Sequence, residues 1–308
     1  MSLAFLYAGQ GSQHPGMGAD LYETYPIFRE ILDSADVDFD LKTVSFADPD
    51  GVLNQTEYTQ PCMVAFAVGM TAILAQLGIT PDYAAGLSLG EYSALQAAGV
   101  FTPQQAISLA AFRGKAMASA CAGMACGMTA VLGLDRDKLQ QACDQAADLG
   151  VVEIANYNCP GQLVIGGQKE AVDKASALAK ELGAKRCLPL KVSGPFHTSL
   201  LRPAGDALRE KFREITFGSM AFPVLFNCLG REMGENDTIP ALLERQVQSS
   251  VYMEDTIRRL EQLGVDTIVE IGPGKALSGF VKKTAPSIKT YAVETPADIE
   301  ALSKALKG

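Results

Sequence analysis

Ser88 lies in the stretch AAGLSLGEYSALQAAG, residues 84–99, with Gly86 and Gly90 two positions to either side. That spacing suits a strand-to-helix elbow, where a sharp turn leaves no room for flanking side chains and presents the serine at the carboxyl edge of a sheet. The serine oxygen then sits at a helix N-terminus, where backbone N–H groups can stabilise an oxyanion. Alone the pattern is weak, because an ordinary small-residue bend carries it too. A serine hydroxyl is unreactive at neutral pH and needs a base, usually histidine. The chain offers two: His14, in the Gly-rich loop QGSQHPGMG, and His197, in SGPFHTSLL. The plain alternative for His197 is a helix-start or core histidine. No aspartate or glutamate stands out as a third triad member; a backbone carbonyl is one alternative for orienting the base.

The elements around these residues read as α/β. LAFLYAG (3–9) is a short apolar run stopped by glycine, as in a buried parallel strand, and a loop and helix follow it. The segment 59–78 reads as a buried helix with Pro61 in its first turn. DYAAGLS is a strand and GEYSALQAAG a helix, so Ser88 falls at their junction. FTPQQAISLAAFRGKAMASA (101–120) opens with Thr102, Pro103 and Gln105, a capping box, and carries Arg113 and Lys115. Residues 124–191 change pattern to βαββαβ, the order of a ferredoxin-like unit, and read as a small subdomain inserted into a larger one. Beyond it come the strand FPVLFNC, helices over 238–263, the strand DTIVEIG, the helix KALSGFVKK, the strand IKTYAVE and a last helix from Pro296. The alternation predicts a mainly parallel sheet flanked by helices, formed by 1–123 and 192–308.

Composition narrows the function. The 308 residues are 48% hydrophobic and 20% charged, with a net charge of −9, so nucleic acid is repelled on average. Basic residues that could still receive an acidic partner are Lys185/Arg186, Lys191, Lys275 and Lys282/Lys283. No apolar run is read as long enough to cross a bilayer and no signal peptide is seen, so no membrane partner and a cytoplasmic location are expected. Seven scattered cysteines without a C-x-x-C pair read as reduced thiols, and no metal site is expected.

Several blocks resemble, in order, the malonyl-CoA:acyl carrier protein transacylase family and the acyltransferase domains of polyketide and fatty acid synthases. They are YAGQGSQ (7–13), GLSLGEYSAL (86–95), FRGKAM (112–117), NYNCPGQLVIGG (156–167), GPFHTSLL (194–201), ERQ (244–246) and EIGPGKAL (270–277). The resemblance implies an α/β-hydrolase-like large subdomain and a ferredoxin-like small one with the site between them. It implies Ser88 as nucleophile, His197 as base and acid, and Gln246 as the residue whose backbone carbonyl holds the histidine. Gln10 and Leu89 would donate oxyanion N–H groups. Arg113, otherwise a helix-end residue, would grip the free carboxylate of a malonyl group through paired hydrogen bonds that a lysine cannot copy. Asn156 and Asn158 match residues near the site, although turn residues around Pro160 are the plain reading of both. Phe196 fits members that use malonyl rather than branched units. Two positions depart from the family pattern: Leu87 replaces a usual histidine, and Ala8 a usual proline.

The implied reaction is ping-pong transfer of malonyl from malonyl-CoA to the phosphopantetheine thiol of acyl carrier protein by a monomer. No bound cofactor is expected, coenzyme A and phosphopantetheine arriving with the substrates. A serine hydrolase with water as acceptor is a rival, disfavoured by the whole subdomain lying between Ser88 and His197. A non-catalytic carrier-docking module is another. A polyketide-pathway role uses the same site chemistry as a fatty-acid one.

Overall fold

The structure is a computed structural model describing residues 1–307, with side chains through Leu306, so Gly308 of the expected 192–308 segment lies outside the described residues. The first part of the chain forms β1 (Leu3–Tyr7), α1 (Ala19–Thr24), α2 (Pro26–Asp33), α3 (Leu41–Phe46), α4 (Thr56–Gln76), β2 (Tyr83–Gly86), α5 (Gly90–Ala97) and α6 (Pro103–Cys121). The middle part forms β3 (Cys126–Leu132), α7 (Arg136–Ala146), β4 (Val152–Cys159), β5 (Gln162–Gln168), α8 (Lys169–Glu181) and β6 (Arg186–Pro189). The last part adds α9 (Arg202–Phe212), β7 (Val224–Phe226), β8 (Arg231–Glu232), α10 (Ile239–Val247), β9 (Val251–Tyr252), α11 (Met253–Gln262), β10 (Thr267–Ile271), α12 (Ala276–Thr284), β11 (Lys289–Val293) and α13 (Pro296–Lys307).

The chain is thus α/β, with two sheets. The larger runs β11-β10-β1-β2-β7-β8 and is parallel except for the β7–β8 pair. Its central strand explains the unbroken apolar run of LAFLY. Leu3, Phe5 and Tyr7 enter one core cluster while Ala4 and Leu6 enter another, so both faces of β1 are covered. The smaller sheet runs β6-β3-β5-β4-β9, with its first four strands antiparallel. It has its own core, where Val131, Leu163 and Ile165 pack with Leu139 of α7 and Val172 of α8.

The capping box at Thr102 is present: its hydroxyl accepts from the Gln105 amide at 3.1 Å and the Gln105 side chain accepts from the Thr102 amide at 2.9 Å. It fixes the start of α6, the helix that carries Arg113. Three expectations need correction. Helix α4 begins at Thr56, so Pro61 lies inside it rather than in the first turn. The start is set earlier by the Gln55 carbonyl, which accepts from the amides of Tyr58 and Thr59. The same helix, 21 residues long, is apolar enough by length and composition to cross a membrane, contrary to the reading of the sequence; 78% of its apolar window is buried inside this fold. Finally, 238–263 is not helical throughout, because β9 divides it and joins the small sheet in parallel with β4.

Candidate active site

The turn after β2 is built by close backbone approach. A Cβ on Gly86 would lie 2.0 Å from the Gly90 carbonyl carbon, and one on Gly90 would lie 2.5 Å from the Tyr7 carbonyl oxygen, so neither position admits a side chain. Between them Ser88 adopts φ +55°, a left-handed conformation that costs a non-glycine residue about 1–3 kcal/mol and survives only where surroundings enforce it. The chain then enters α5, leaving Ser88 at the helix start.

His197 also has a left-handed backbone, φ +61°, and is buried. Its Nε2 lies 2.7 Å from Ser88 Oγ, and its Nδ1 lies 2.9 Å from the backbone carbonyl oxygen of Gln246. A carbonyl can only accept, so Nδ1 carries the proton and Nε2 is left as acceptor for the serine hydroxyl. Burial, aided by the Arg113 charge, pushes His197 down to about 3, which keeps the imidazole neutral and leaves Nε2 unprotonated toward Ser88.

Arg113 reaches the same point from α6 and is fully buried. Its Nη1 donates to Gln60 Oε1 at 2.7 Å, and its Nη2 donates to Gln246 Oε1 at 2.9 Å and to Ser88 Oγ at 3.2 Å. The face of Tyr92 lies 5.7 Å from the guanidinium. No carboxylate forms an ion pair with it among the described residues, and its Nε has no partner. Gln60 continues the network, donating to Thr56 Oγ1, which donates to Gln10 Oε1 at 2.8 Å.

A cavity of about 130 Å³ opens onto these groups. Gln10, Gln60, Ser88, Asn156 and His197 give it polar walls; Leu87, Met117, Met128 and Phe196 give it apolar ones. The amides of Gln10 and Leu89 find no backbone acceptor among the described residues. The arrangement places a neutral imidazole acceptor on a serine hydroxyl, with two amides free of backbone acceptors and a buried guanidinium as the neighbouring donors.

A family profile described as the acyl transferase domain matches residues 4–299. The chain belongs to that acyl transferase family. This acyl transferase is 42% identical over 308 residues to the malonyl CoA-acyl carrier protein transacylase of Bacillus subtilis, covering 99% of this chain and 97% of that one. Among solved structures it is similar to MCAT from Streptococcus pneumoniae, with TM-score 0.94, 44% identity, and 99% and 100% of the two chains covered. It is also similar to a malonyl-transacylase solved in complex with its holo type II polyketide acyl carrier protein, with TM-score 0.95, 36% identity, and 99% and 100% covered.

The acyl transferase brings together Ser88, His197, Gln246, Arg113, Gln10, Asn156 and Phe196, with Leu89 buried at the start of α5. Leu87, the departure beside Ser88, puts an aliphatic side chain into the cavity wall. Asn158 is not in that wall; it is buried on β4 with its Oδ1 unpartnered. His14 is half-exposed, its Nε2 lies 2.5 Å from Glu294 Oε1, and it is not in the cavity wall. The Lys185, Arg186, Lys191, Lys275, Lys282 and Lys283 side chains are exposed. Reasoning from the sequence missed Gln60, Asn227 and Glu91. Asn227 Oδ1 accepts from the Ser88 amide at 2.7 Å, and Glu91 is a fully buried acid that burial pushes up to about 8. Its signal was a lone acidic residue within the apolar helix that follows the serine.

Proposed function

We propose that this chain transfers a malonyl group from malonyl-CoA to the phosphopantetheine thiol of acyl carrier protein through a malonyl-Ser88 ester. The observation that carries the reading is the buried Arg113 guanidinium, without a carboxylate partner among the described residues and 3.2 Å from Ser88 Oγ. A buried cation held only by neutral acceptors is suited to a substrate carboxylate, which a guanidinium can bind through parallel hydrogen bonds. The relatives named as malonyl transacylases, one of them solved with its carrier protein, support the same substrates.

His197 takes the Ser88 proton as Oγ attacks the thioester carbonyl. The oxyanion lies toward the amides of Gln10 and Leu89, and its collapse expels coenzyme A, which leaves as the thiol with the proton from His197. The carrier thiol then attacks the ester in the reverse sense, again with His197 as base. Gln246 serves twice, its carbonyl orienting His197 and its side chain bonded to both Arg113 and Ser88. Asn156 and Phe196 shape the acyl pocket, whereas Asn158, outside its wall, has no part in substrate binding in this reading. A resident cofactor has no step to perform, because thioester exchange needs only the nucleophile, the base and the donors.

In this reading 1–123 and 192–308 are the α/β-hydrolase-like part and 124–191 the ferredoxin-like part, supported by the order β6-β3-β5-β4. The enzyme works as a cytoplasmic monomer in fatty acid synthesis, where its seven unpaired cysteines remain thiols. The test is intact-protein mass after brief exposure to malonyl-CoA, for the parent and Ser88→Ala, followed by addition of acyl carrier protein. A Ser88-dependent malonyl adduct that moves to the carrier is expected. An adduct lost to water would instead make the chain a hydrolase.

A further inference from the structure

Two side-chain carboxamides grip the strained peptide units on either side of Ser88. On the carbonyl side, Gln246 Nε2 donates to Ser88 O at 2.7 Å. On the amide side, Asn227 Oδ1 accepts from Ser88 N at 2.7 Å while Asn227 Nδ2 donates to Gly86 O at 2.6 Å, so one carboxamide bridges both ends of the Gly86–Leu87–Ser88 turn. Asn227 is itself fixed at both backbone groups. Its amide donates to Glu91 Oε2 at 2.6 Å, and its carbonyl accepts from Tyr252 N at 2.9 Å. Asn227 and Glu91 are both fully buried, and neither is in the cavity wall. Asn227 follows directly on β7, Glu91 lies in the first turn of α5 and Tyr252 in β9, so the bridge is anchored at three points of the fold.

We propose that Asn227 is a positioning residue for the nucleophile: its carboxamide, carried on a backbone that Glu91 and Tyr252 anchor, holds Ser88 in the left-handed conformation that aims Oγ at His197. The residue type follows from the donor and acceptor it must supply together. An aspartate could accept from Ser88 N but, ionised, would oppose the Gly86 carbonyl, and an aliphatic residue would leave both backbone groups unpaired in the interior. The gain is kinetic. Displacing a reacting group by about 1 Å can cost ~10²-fold, and losing an oxyanion donor costs ~10²–10³-fold in kcat. The inference rests on Ser88 being the nucleophile of the proposed function, but not on the acyl group being malonyl.

The experiment compares the full chain with Asn227→Ala and Asn227→Asp. The rate constant for phosphonylation of Ser88 by a fluorophosphonate, expressed per folded molecule, is read alongside kcat and KM for malonyl transfer. The probe needs no malonyl group, so parent protein that reacts with it yet transfers no malonyl would overturn the substrate assignment and leave the test of Asn227 intact. Phosphonylation and kcat are expected to fall together by about 10–100-fold in Asn227→Ala, with the KM for malonyl-CoA within about threefold of the parent. Asn227→Asp keeps the shape and one of the two bonds, and should show a loss in the same direction should the alanine variant fail to fold. A phosphonylation rate per folded molecule within twofold of the parent in a folded variant overturns the proposal, because Asn227 would then only stabilise the fold. A raised KM with unchanged kcat overturns it as well.

Discussion

Replacing Arg113 with alanine removes a guanidinium that bonds Gln60 Oε1, Gln246 Oε1 and Ser88 Oγ from a fully buried position. The malonyl carboxylate would lose two charge-assisted hydrogen bonds, each worth about 1.5–3 kcal/mol, and the combined ~3–6 kcal/mol corresponds to roughly 10²–10⁴ in kcat/KM. Acetyl-CoA has no carboxylate to lose, and deleting the cation relieves one of the influences that depress His197, so acetyl transfer should stay within about tenfold of the parent. The truncation also strands two glutamine oxygens in the interior, at about 1–3 kcal/mol each, so the variant should unfold at lower denaturant. The assay is competition between malonyl-CoA and acetyl-CoA for Ser88, read as the mass of the acyl adduct on folded protein. A malonyl-to-acetyl preference unchanged within threefold would refute the reasoning, because the carboxylate would then be held elsewhere.

Other outcomes follow from the same geometry. His197→Ala should lower malonyl-adduct formation by about 10²–10⁴-fold in a quenched time course, whereas Gln246→Ala, which keeps the backbone carbonyl on Nδ1, should cost less. Because His197 sits near 3 rather than 6.5, kcat/KM for malonyl-CoA should show no inflection near pH 6.5 that His197→Ala abolishes; such an inflection would mean the imidazole is not desolvated. Glu91 is raised from 4.5 to about 8. The folded chain therefore holds a proton that the unfolded chain releases, and Glu91's contribution to stability, intact below pH 4.5, is lost as pH rises through about 8. Urea unfolding should lose up to ~1.4 kcal/mol per pH unit from this group between those values, and Glu91→Gln should remove that slope. Gly86→Ala, whose methyl would meet Gly90 at 2.0 Å, should yield little folded protein and no acylation of what folds.

The sequence made the tight turn at Ser88 legible because its requirement is local: glycines two residues either side of Ser88 are dictated by backbones that touch there. The two histidines narrowed the choice of base, and the resemblance, not the residues alone, pointed to His197; the structure leaves His14 out of the cavity wall. Gln246 and Arg113 were reached only through the resemblance, since nothing in ERQ or FRGKAM shows that one supplies a carbonyl to His197 and the other a guanidinium to Ser88. Gln60, Asn227 and Glu91 act across separations of 53, 139 and 136 residues, and no local period records such contacts. The fold followed the same division. The strand LAFLY and the capped start of α6 carry their own signals, whereas the two-residue β8 and β9 are too short to show alternation and exist because a partner strand is waiting. Pro61 marked a helix start in the sequence, yet the true start is fixed by the Gln55 carbonyl one turn earlier.

Strand β9 has a bearing on how such a chain can be cut and rejoined. It lies against Asn156 and Tyr157 of β4, with Tyr252 stacked on Tyr157 at 4.9 Å, and it comes from the later part of the chain rather than from 124–191. A cassette drawn at 124–191 would expose the outer edge of β4, leaving N–H and C=O groups beside the acyl pocket free to pair with another chain. The small sheet is therefore contiguous in space but not in sequence. Exchanging it between relatives to alter acyl choice would require moving the donor's β9 along with 124–191, and that strand's neighbour Asn227 ties the same seam to Ser88.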